Sequence, residues 1–138
     1  MNDPHMASAG EAIATVRQVI DELTETLRSG GVADARRTAH EIITSLLSVP
    51  RSWALRHRDD TLDPTVIVPA QKAAARIVAG APFAYAVGRV TFRHFDLHVD
   101  QRVLIPRPET EVLVDEILAR FRPRFGVGKD WGTAVEIG

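Results

Sequence analysis

The first half of the chain carries two helical stripes of apolar residues, and Gly30-Gly31 separates them. The first stripe lies in residues 11–29, and the second runs from Ala35 to Leu47 and stops before Pro50. Apolar residues recur there at spacings of three and four, which predicts helices with one buried face. The stripes consist of Ala12, Val16, Val19, Ile20, Leu23, Leu27, Ala35, Ala39, Ile42, Ile43, Leu46 and Leu47. A glycine pair ends a helix readily, so two helices joined by a short turn are expected.

Two further helices are expected before the pattern changes. Ser52 to His57 predicts a short helix, and Asp63-Pro64 is typical of the start of a longer one. Pro69 predicts a kink or a restart in that longer helix, which Gly80 closes. Because short loops join all these pieces, residues 9–80 are predicted to form a small antiparallel helical bundle with its own core.

The apolar period changes from helix to strand after Ala81-Pro82. Val87 to Phe92 and Phe95 to Val99 alternate and are rich in β-branched and aromatic residues. Arg93-His94 lies between the two runs. This pattern predicts a β-hairpin, and we assign residues 81–105 as a hairpin linker.

A third segment begins at the prolines of the sequence Ile-Pro-Arg-Pro-Glu-Thr-Glu. Pro108 followed by carboxylates in the first turn is typical of a helix start, and Pro123 is expected to end that helix. Its predicted buried stripe consists of Val112, Leu113, Ile117, Leu118 and Phe121. A glycine-rich loop over residues 125–132 follows.

The last residues, 134–138, predict a buried strand that ends in an acidic residue and a glycine. Such a strand opens the glycine-rich turn of nucleotide- and cofactor-binding α/β domains. Residues 106–138 are therefore expected to be the start of an incomplete α/β domain. The expected fold class is mainly α: a helical bundle, a hairpin linker, and the first helix and strand of that domain.

Composition excludes several classes of protein. The net charge of −1 gives no general attraction to nucleic acid or membrane. The chain has no cysteine, which excludes disulfides and thiolate metal sites and fits a cytoplasmic location. No apolar run approaches the ~20 residues that span a bilayer. The five histidines have no metal-ligand spacing, so no metal site is expected. His5-Met6 is typical of a cloning junction, so we interpret residues 1–8 as a tag or a disordered segment.

The densest polar cluster consists of Arg107, Glu109, Thr110 and Glu111. It follows a rigid Pro-x-Pro frame, which would suit a loop at the mouth of a pocket. Spacing alone favours the simpler interpretation of a helix start with ordinary surface charges.

A second cluster, the arginine patch, consists of Arg51, Arg56 and Arg58. Most such runs are solvated faces of a protein. The alternative is that the patch meets an acidic partner.

Several strings of this chain resemble the HemK/PrmC family, which methylates the glutamine of the Gly-Gly-Gln motif in peptide chain release factors. The strings are Pro82-Phe83-Ala84-Tyr85-Ala86-Val87-Gly88, then Phe92, then Val99-Asp100, then Arg102-Val103-Leu104-Ile105-Pro106-Arg107-Pro108-Glu109-Thr110-Glu111. The resemblance extends back through Ala35 to Leu47 and forward to Val135-Glu136-Ile137-Gly138. It departs at Ala84, where the family commonly has glutamine, and at His94, near a common glycine.

The resemblance implies a helical domain that helps to hold the release factor. It also implies a hairpin that leads to a Rossmann-like domain binding S-adenosylmethionine, with no direct nucleic-acid or membrane partner. The arginine patch is then a candidate for contact with the release factor. The implied pocket residues are Leu104, Pro106, Arg107 and Glu109, and the implied cofactor-binding residues are Thr110, Glu136 and Gly138.

The family's Asn-Pro-Pro-Tyr motif, which grips the target amide, is not in this chain. We therefore assign no catalytic residue and expect this chain alone to lack activity. Two alternatives remain open at this point. One is a non-catalytic helical interaction module, and the other is a glutamine methyltransferase that acts on a ribosomal protein.

Overall fold

A computed structural model of the protein describes residues 14–121. In chain order this part contains α1 (Val16–Ser29), α2 (Ala35–Leu47), α3 (Trp53–Arg56), α4 (Pro64–Val78), α5 (Phe83–Val87), β1 (Arg89–Phe92), β2 (Phe95–His98) and α6 (Pro108–Phe121). The prediction of a mainly helical chain with one small hairpin is confirmed. The interpretation of residues 1–8 as a tag, and the loop and strand predicted beyond Phe121, concern residues outside those described. None of the helices in residues 14–121 combines the length and the hydrophobicity that crossing a bilayer requires.

Helix α1 starts at Val16, later than the predicted stripe, because Thr15 caps it. The Thr15 hydroxyl accepts a hydrogen bond from the Gln18 N–H at 3.3 Å, and the Gln18 side chain accepts one from the Thr15 N–H at 2.8 Å. This reciprocal pair is a capping box. The helix ends at Ser29, Gly30 caps it, and Gly31 takes a φ of 81°, so the prediction of a glycine stop is confirmed.

The core lies where α1, α2 and α4 pack against one another. The two predicted apolar stripes supply most of this core, and Val16, Ile20, Leu23 and Ile42 are among their buried residues. Leu46, from the second stripe, is half-buried and packs against the buried cluster. In the described part of the chain this buried cluster also includes Val19, Leu27, Ala35, Ala39, Ile43, Ala54, Leu62, Ala70, Ala73, Ala74, Ala86 and Val87.

Helix α4 begins as predicted at Asp63-Pro64, where the Asp63 carboxylate accepts a hydrogen bond from the Thr65 N–H at 2.8 Å. The predicted restart at Pro69 is wrong, because one helix continues through that residue. Proline removes a single backbone donor. Small buried side chains beyond it, including Ala70 and Ala73, pack closely against the other helices and keep the helix continuous.

A short helix, α5, occupies the start of the segment that was assigned to the hairpin linker. Val87 was predicted to begin a strand, but it ends α5 and is buried together with Ala86. Gly88 closes α5 with a φ of 77°, and its N–H donates to the Ala84 carbonyl at 2.8 Å. The strand therefore starts only at Arg89, because the left-handed glycine separates it from the helix.

The antiparallel hairpin itself is confirmed. Arg89 pairs with His98 at its base, and Phe92 pairs with Phe95 beside the turn. The turn consists of Arg93 and His94, as predicted, and Arg93 has a φ of 55°.

Helix α6 begins at Pro108 as predicted, with two carboxylates in its first turn. The prediction of a buried stripe is wrong for residues 14–121, since no α6 residue is buried. Val112, Leu113, Ile117 and Phe121 are 44–61% exposed, and Leu118 is half-buried. The reason is that no helix or strand in the described part packs extensively against α6.

Candidate functional site

The segment that precedes α6 starts from a turn closed by Asp100. The Asp100 carboxylate accepts hydrogen bonds from the Arg102 backbone N–H at 2.9 Å and from Arg102 Nη2 at 2.6 Å. These bonds, the side-chain bond first, lower the pKa of Asp100 to about 2. The Asp100 side chain in turn raises the pKa of Arg102. The pair is an exposed structural turn whose charges are already satisfied.

Two further hydrogen bonds shape the segment. The Tyr85 hydroxyl, on α5, donates to the Val103 carbonyl at 2.7 Å. At the other end, the Thr110 N–H donates to the Arg107 carbonyl at 3.0 Å, which closes the turn into α6. Residues 104–110 therefore run from a tether on the bundle to the first turn of α6.

The structure places the five described pocket and cofactor residues along this one exposed segment. Leu104 is 78% exposed. Pro106 is half-buried, and Arg107, Glu109 and Thr110 are exposed. The segment presents these side chains to solvent on one edge of the described part and does not enclose a pocket.

Residues 104–110 do not line any of three clefts in residues 14–121. None of these three clefts therefore offers a cofactor cavity at this segment. Thr110 can therefore supply one contact to S-adenosylmethionine, but the described residues do not surround that molecule. The other two candidate cofactor residues, Glu136 and Gly138, lie outside the described residues.

The arginine patch is exposed and partly neutralised by its neighbours. Arg51 forms an ion pair with Glu41 at 2.5 Å, and Arg58 lies 3.7 Å from Asp59. Arg56 donates a hydrogen bond to the Ser52 hydroxyl at 3.3 Å. Exposed pairs of this kind hold their side chains only weakly. The three guanidinium groups can exchange these local partners for groups on another protein.

A cleft of about 480 Å³ lies between the C-terminal end of α2 and the hairpin. Arg51 and Arg89 line it together with Glu41 and Asp96, so it carries charges of both signs. Arg89 donates to the Leu46 carbonyl at 3.3 Å and fastens the hairpin to α2. Sequence reasoning missed this cleft, because it depends on a contact between residues far apart in the chain. The local sequence feature that accompanies the cleft is Arg89, an arginine directly after the left-handed Gly88.

The surroundings of His40 and His57 are specific. Burial lowers the pKa of His40, with a smaller effect from Arg36 in the same direction and an opposing one from Asp21. The His57 ring stacks on Trp53, with ring centroids 4.5 Å apart. In residues 14–121 no cluster of three or more potential ligand side chains is arranged to hold a metal ion.

Comparison with known proteins identifies the class to which this bundle belongs. Residues 18–88, which run from the start of α1 to the glycine after α5, match the model of the family described as PrmC N-terminal domain. The match covers more than half of the chain, so the protein belongs to this family. The resemblance to HemK/PrmC proteins is thereby confirmed.

Individual relatives agree with this assignment. The release factor glutamine methyltransferase of Moorella thermoacetica is 34% identical over 109 residues, which cover 79% of this chain and 38% of the relative. That of Corynebacterium glutamicum is 39% identical over 104 residues, covering 73% of this chain and 35% of the relative. A bifunctional methyltransferase of Rickettsia conorii is 28% identical over 103 residues, covering 75% of this chain and 20% of the relative. The chain spans less than half the length of these relatives.

Proposed function

We propose that this chain is the N-terminal part of an S-adenosylmethionine-dependent methyltransferase that modifies release factors. The acceptor would be the side-chain amide of the glutamine in the Gly-Gly-Gln motif, and the reaction would take place in the cytoplasm. The observation that carries the proposal is the match of residues 18–88 to the PrmC N-terminal domain. The relatives named release factor glutamine methyltransferase support it.

The proposed division of the chain follows its fold. Residues 9–80 would be the docking domain, residues 81–105 the linker, and residues 106–138 the start of a Rossmann-like domain. The exposed apolar residues of α6 support this boundary, because such a stripe suits a helix that packs against a further layer.

Residues 104–110 would form one wall of the pocket for the target glutamine. An amide nitrogen is a poor nucleophile because its lone pair is delocalised into the carbonyl group. Hydrogen-bond acceptors must therefore orient the NH₂ group in line with the methyl group that it receives. S-adenosylmethionine, when bound, supplies that methyl group from its sulfonium centre. Leu104, Pro106, Arg107 and Glu109 would shape the substrate side of the pocket.

The cofactor side of the pocket is assigned to Thr110, Glu136 and Gly138. Thr110 lies in the first turn of α6, where its exposed side chain is free to face a ligand. Because the described residues do not surround a cofactor, we expect this chain alone to be inactive and to bind S-adenosylmethionine feebly. Titration calorimetry that shows micromolar binding by the 138-residue chain would contradict this expectation.

The helical bundle would dock the release factor through the arginine patch. One glutamine side chain cannot by itself distinguish a whole protein, so a second contact surface is needed. The exposure of Arg51, Arg56 and Arg58 supports this role, and their charge would speed encounter with an acidic partner in a salt-dependent way. We expect the triple alanine variant of the longer protein to methylate intact release factor more slowly than wild type. Its rate on a short Gly-Gly-Gln peptide should not change.

The assay for the proposed activity compares substrates. The gene product, at the length of its relatives, is incubated with radiolabelled S-adenosylmethionine and with release factor, ribosomal protein or a release factor whose target glutamine is replaced by glutamate. Label should enter only the release factor that carries its natural target glutamine. Transfer to ribosomal protein would favour a glutamine methyltransferase that acts on a ribosomal protein. Transfer to no substrate would favour a non-catalytic interaction module.

A further inference from the structure

The hairpin touches the helical bundle at its base and α6 at its tip. At the base, Arg89 Nη1 donates to the Leu46 carbonyl of α2 at 3.3 Å, and Arg89 Nη2 lies 3.7 Å from Asp96 Oδ2. At the tip, Arg93 forms an ion pair with Asp115 of α6. The hairpin therefore connects α2 to α6, through Arg89 at its base and Arg93 at its tip.

Apolar packing does not fix α6 in the described part of the chain. None of its residues is buried, and no other element in residues 14–121 packs extensively against it. The Arg93 side chain is only 19% exposed, whereas that of Asp115 is 64% exposed. The ion pair thus joins a largely buried arginine of the hairpin to an exposed aspartate of α6. This contact can set the direction of α6.

The conformation of Arg93 is unusual for its side chain. A φ of 55° places it in the left-handed region, where hairpin turns normally have glycine, asparagine or aspartate. The left-handed backbone conformation of this turn does not favour a long charged residue such as arginine. The Arg93 side chain reaches Asp115 on α6 from this turn.

A second tether lies on the other side of residues 104–110. The Tyr85 hydroxyl donates to the Val103 carbonyl at 2.7 Å, and Tyr85 belongs to α5, whose residues Ala86 and Val87 are buried in the bundle. The proposed pocket wall is therefore held at its start through Tyr85 and beyond its end through Arg93.

We propose that Arg93 and Tyr85 are positioning residues that fix residues 104–110 relative to the helical bundle. The inference rests on the proposed function, in which release factor docks on the bundle and presents its glutamine at this segment. A displacement of the order of 1 Å at a reacting centre lowers rates severely. Only a substrate that touches both surfaces depends on the distance between them, so a short peptide should not respond to the loss of either tether.

The first test measures geometry and requires no activity. Because the chain has no cysteine, Glu22→Cys on α1 and Ala119→Cys on α6 place spin labels at two exposed positions only. Pulsed electron paramagnetic resonance on the 138-residue chain should give one narrow distance distribution. Arg93→Gly combined with Tyr85→Phe should broaden it, and glycine keeps the turn because it accepts a positive φ.

The control for this test is Arg120→Ala, which removes an ion pair to Glu116 that lies entirely within α6. That variant should leave the distribution unchanged. An unchanged distribution in the variant that lacks both tethers would overturn the positioning role.

The second test measures specificity in the longer protein. Each lost tether should lower kcat/KM on intact release factor, by about twofold to fivefold for the ion pair and about twofold to tenfold for the hydrogen bond. The value for a Gly-Gly-Gln peptide should stay at the wild-type level. The charge exchange Arg93→Asp with Asp115→Arg should recover the rate on intact release factor.

The outcomes separate this inference from the proposed function. Equal losses on protein and peptide would show a general structural role and overturn the inference. If the wild-type protein methylates neither substrate, the proposed function fails, and the spin-label distances alone decide whether the tethers position α6.

Discussion

One added methyl group at Gly30 tests how α1 and α4 pack. Gly30 caps α1 with a φ of −80° and a ψ of 3°, a conformation that alanine accepts without strain. A Cβ at this position would lie 2.6 Å from Val78 Cγ1, nearer still to Cγ2, and 3.0 Å from Val78 Cβ. Because the Val78 Cβ is itself too close, rotation of the valine side chain cannot remove the clash. The end of α4 must move away from α1.

The expected cost follows from two opposing effects. A Gly→Ala change at a compatible conformation stabilises by about 0.4–1 kcal/mol, because it restricts the unfolded chain. Overpacking costs about 1–3 kcal/mol. Gly30→Ala should therefore lower the free energy of unfolding by roughly 0.5–2 kcal/mol in urea titrations.

The background variant Val78→Gly removes Val78 Cβ together with both Cγ atoms, so it shows whether the clash is the cause. In that background Gly30→Ala should become stabilising by about 0.4–1 kcal/mol, since only the unfolded-state effect remains. The control is Gly31→Ala, where φ is 81° and no atom lies within 4 Å of the added Cβ. It should cost about 1–2 kcal/mol in both backgrounds, because only its backbone is strained. Equal effects of Gly30→Ala with and without Val78 would refute the packing of α1 against α4.

Three further predictions concern the core, the pH dependence and the pocket wall. Leu23 is 2% exposed, so Leu23→Ala should cost about 2–5 kcal/mol, and an unchanged denaturation midpoint would exclude it from the core. Burial lowers the pKa of His40 in the folded state, so the unfolded state binds more protons just below pH 6.5. The free energy of unfolding should therefore fall as the pH falls through that window. The accompanying fall in Tm should be smaller in His40→Gln. Thr110→Trp in the longer protein should slow methyl transfer. Because Thr110 is exposed, the free energy of unfolding should change by less than about 0.5 kcal/mol. A variant that turns over at the wild-type rate would exclude Thr110 from the pocket.

Local signals in the sequence predicted most of the helix boundaries. Asp63-Pro64 and Gly30-Gly31 act through hydrogen bonds and backbone angles within a few residues, so their effect can be read directly from the chain. Helix α5 was missed, because Val87 fits both the end of a buried helix and the start of a strand. The left-handed conformation of Gly88 decides between them.

Long-range features were not predictable in the same way. The hydrogen bond from Arg89 to the Leu46 carbonyl and the ion pair of Arg93 with Asp115 depend on how distant elements meet. The stripe on α6 was recognised as apolar, but its burial depends on what covers it. The pocket residues at 104–110 came from family resemblance, because a proline frame followed by charges is also typical of an ordinary helix start.

The location of the transferred methyl group tests the central claim most directly. Release factor is incubated with S-adenosylmethionine and the gene product at the length of its relatives, digested, and analysed by tandem mass spectrometry. The account predicts one added methyl group on the glutamine of the Gly-Gly-Gln peptide, and none when the enzyme is omitted. Unmodified glutamine in that peptide after incubation with folded enzyme, or a methyl group on any other residue, would contradict the account.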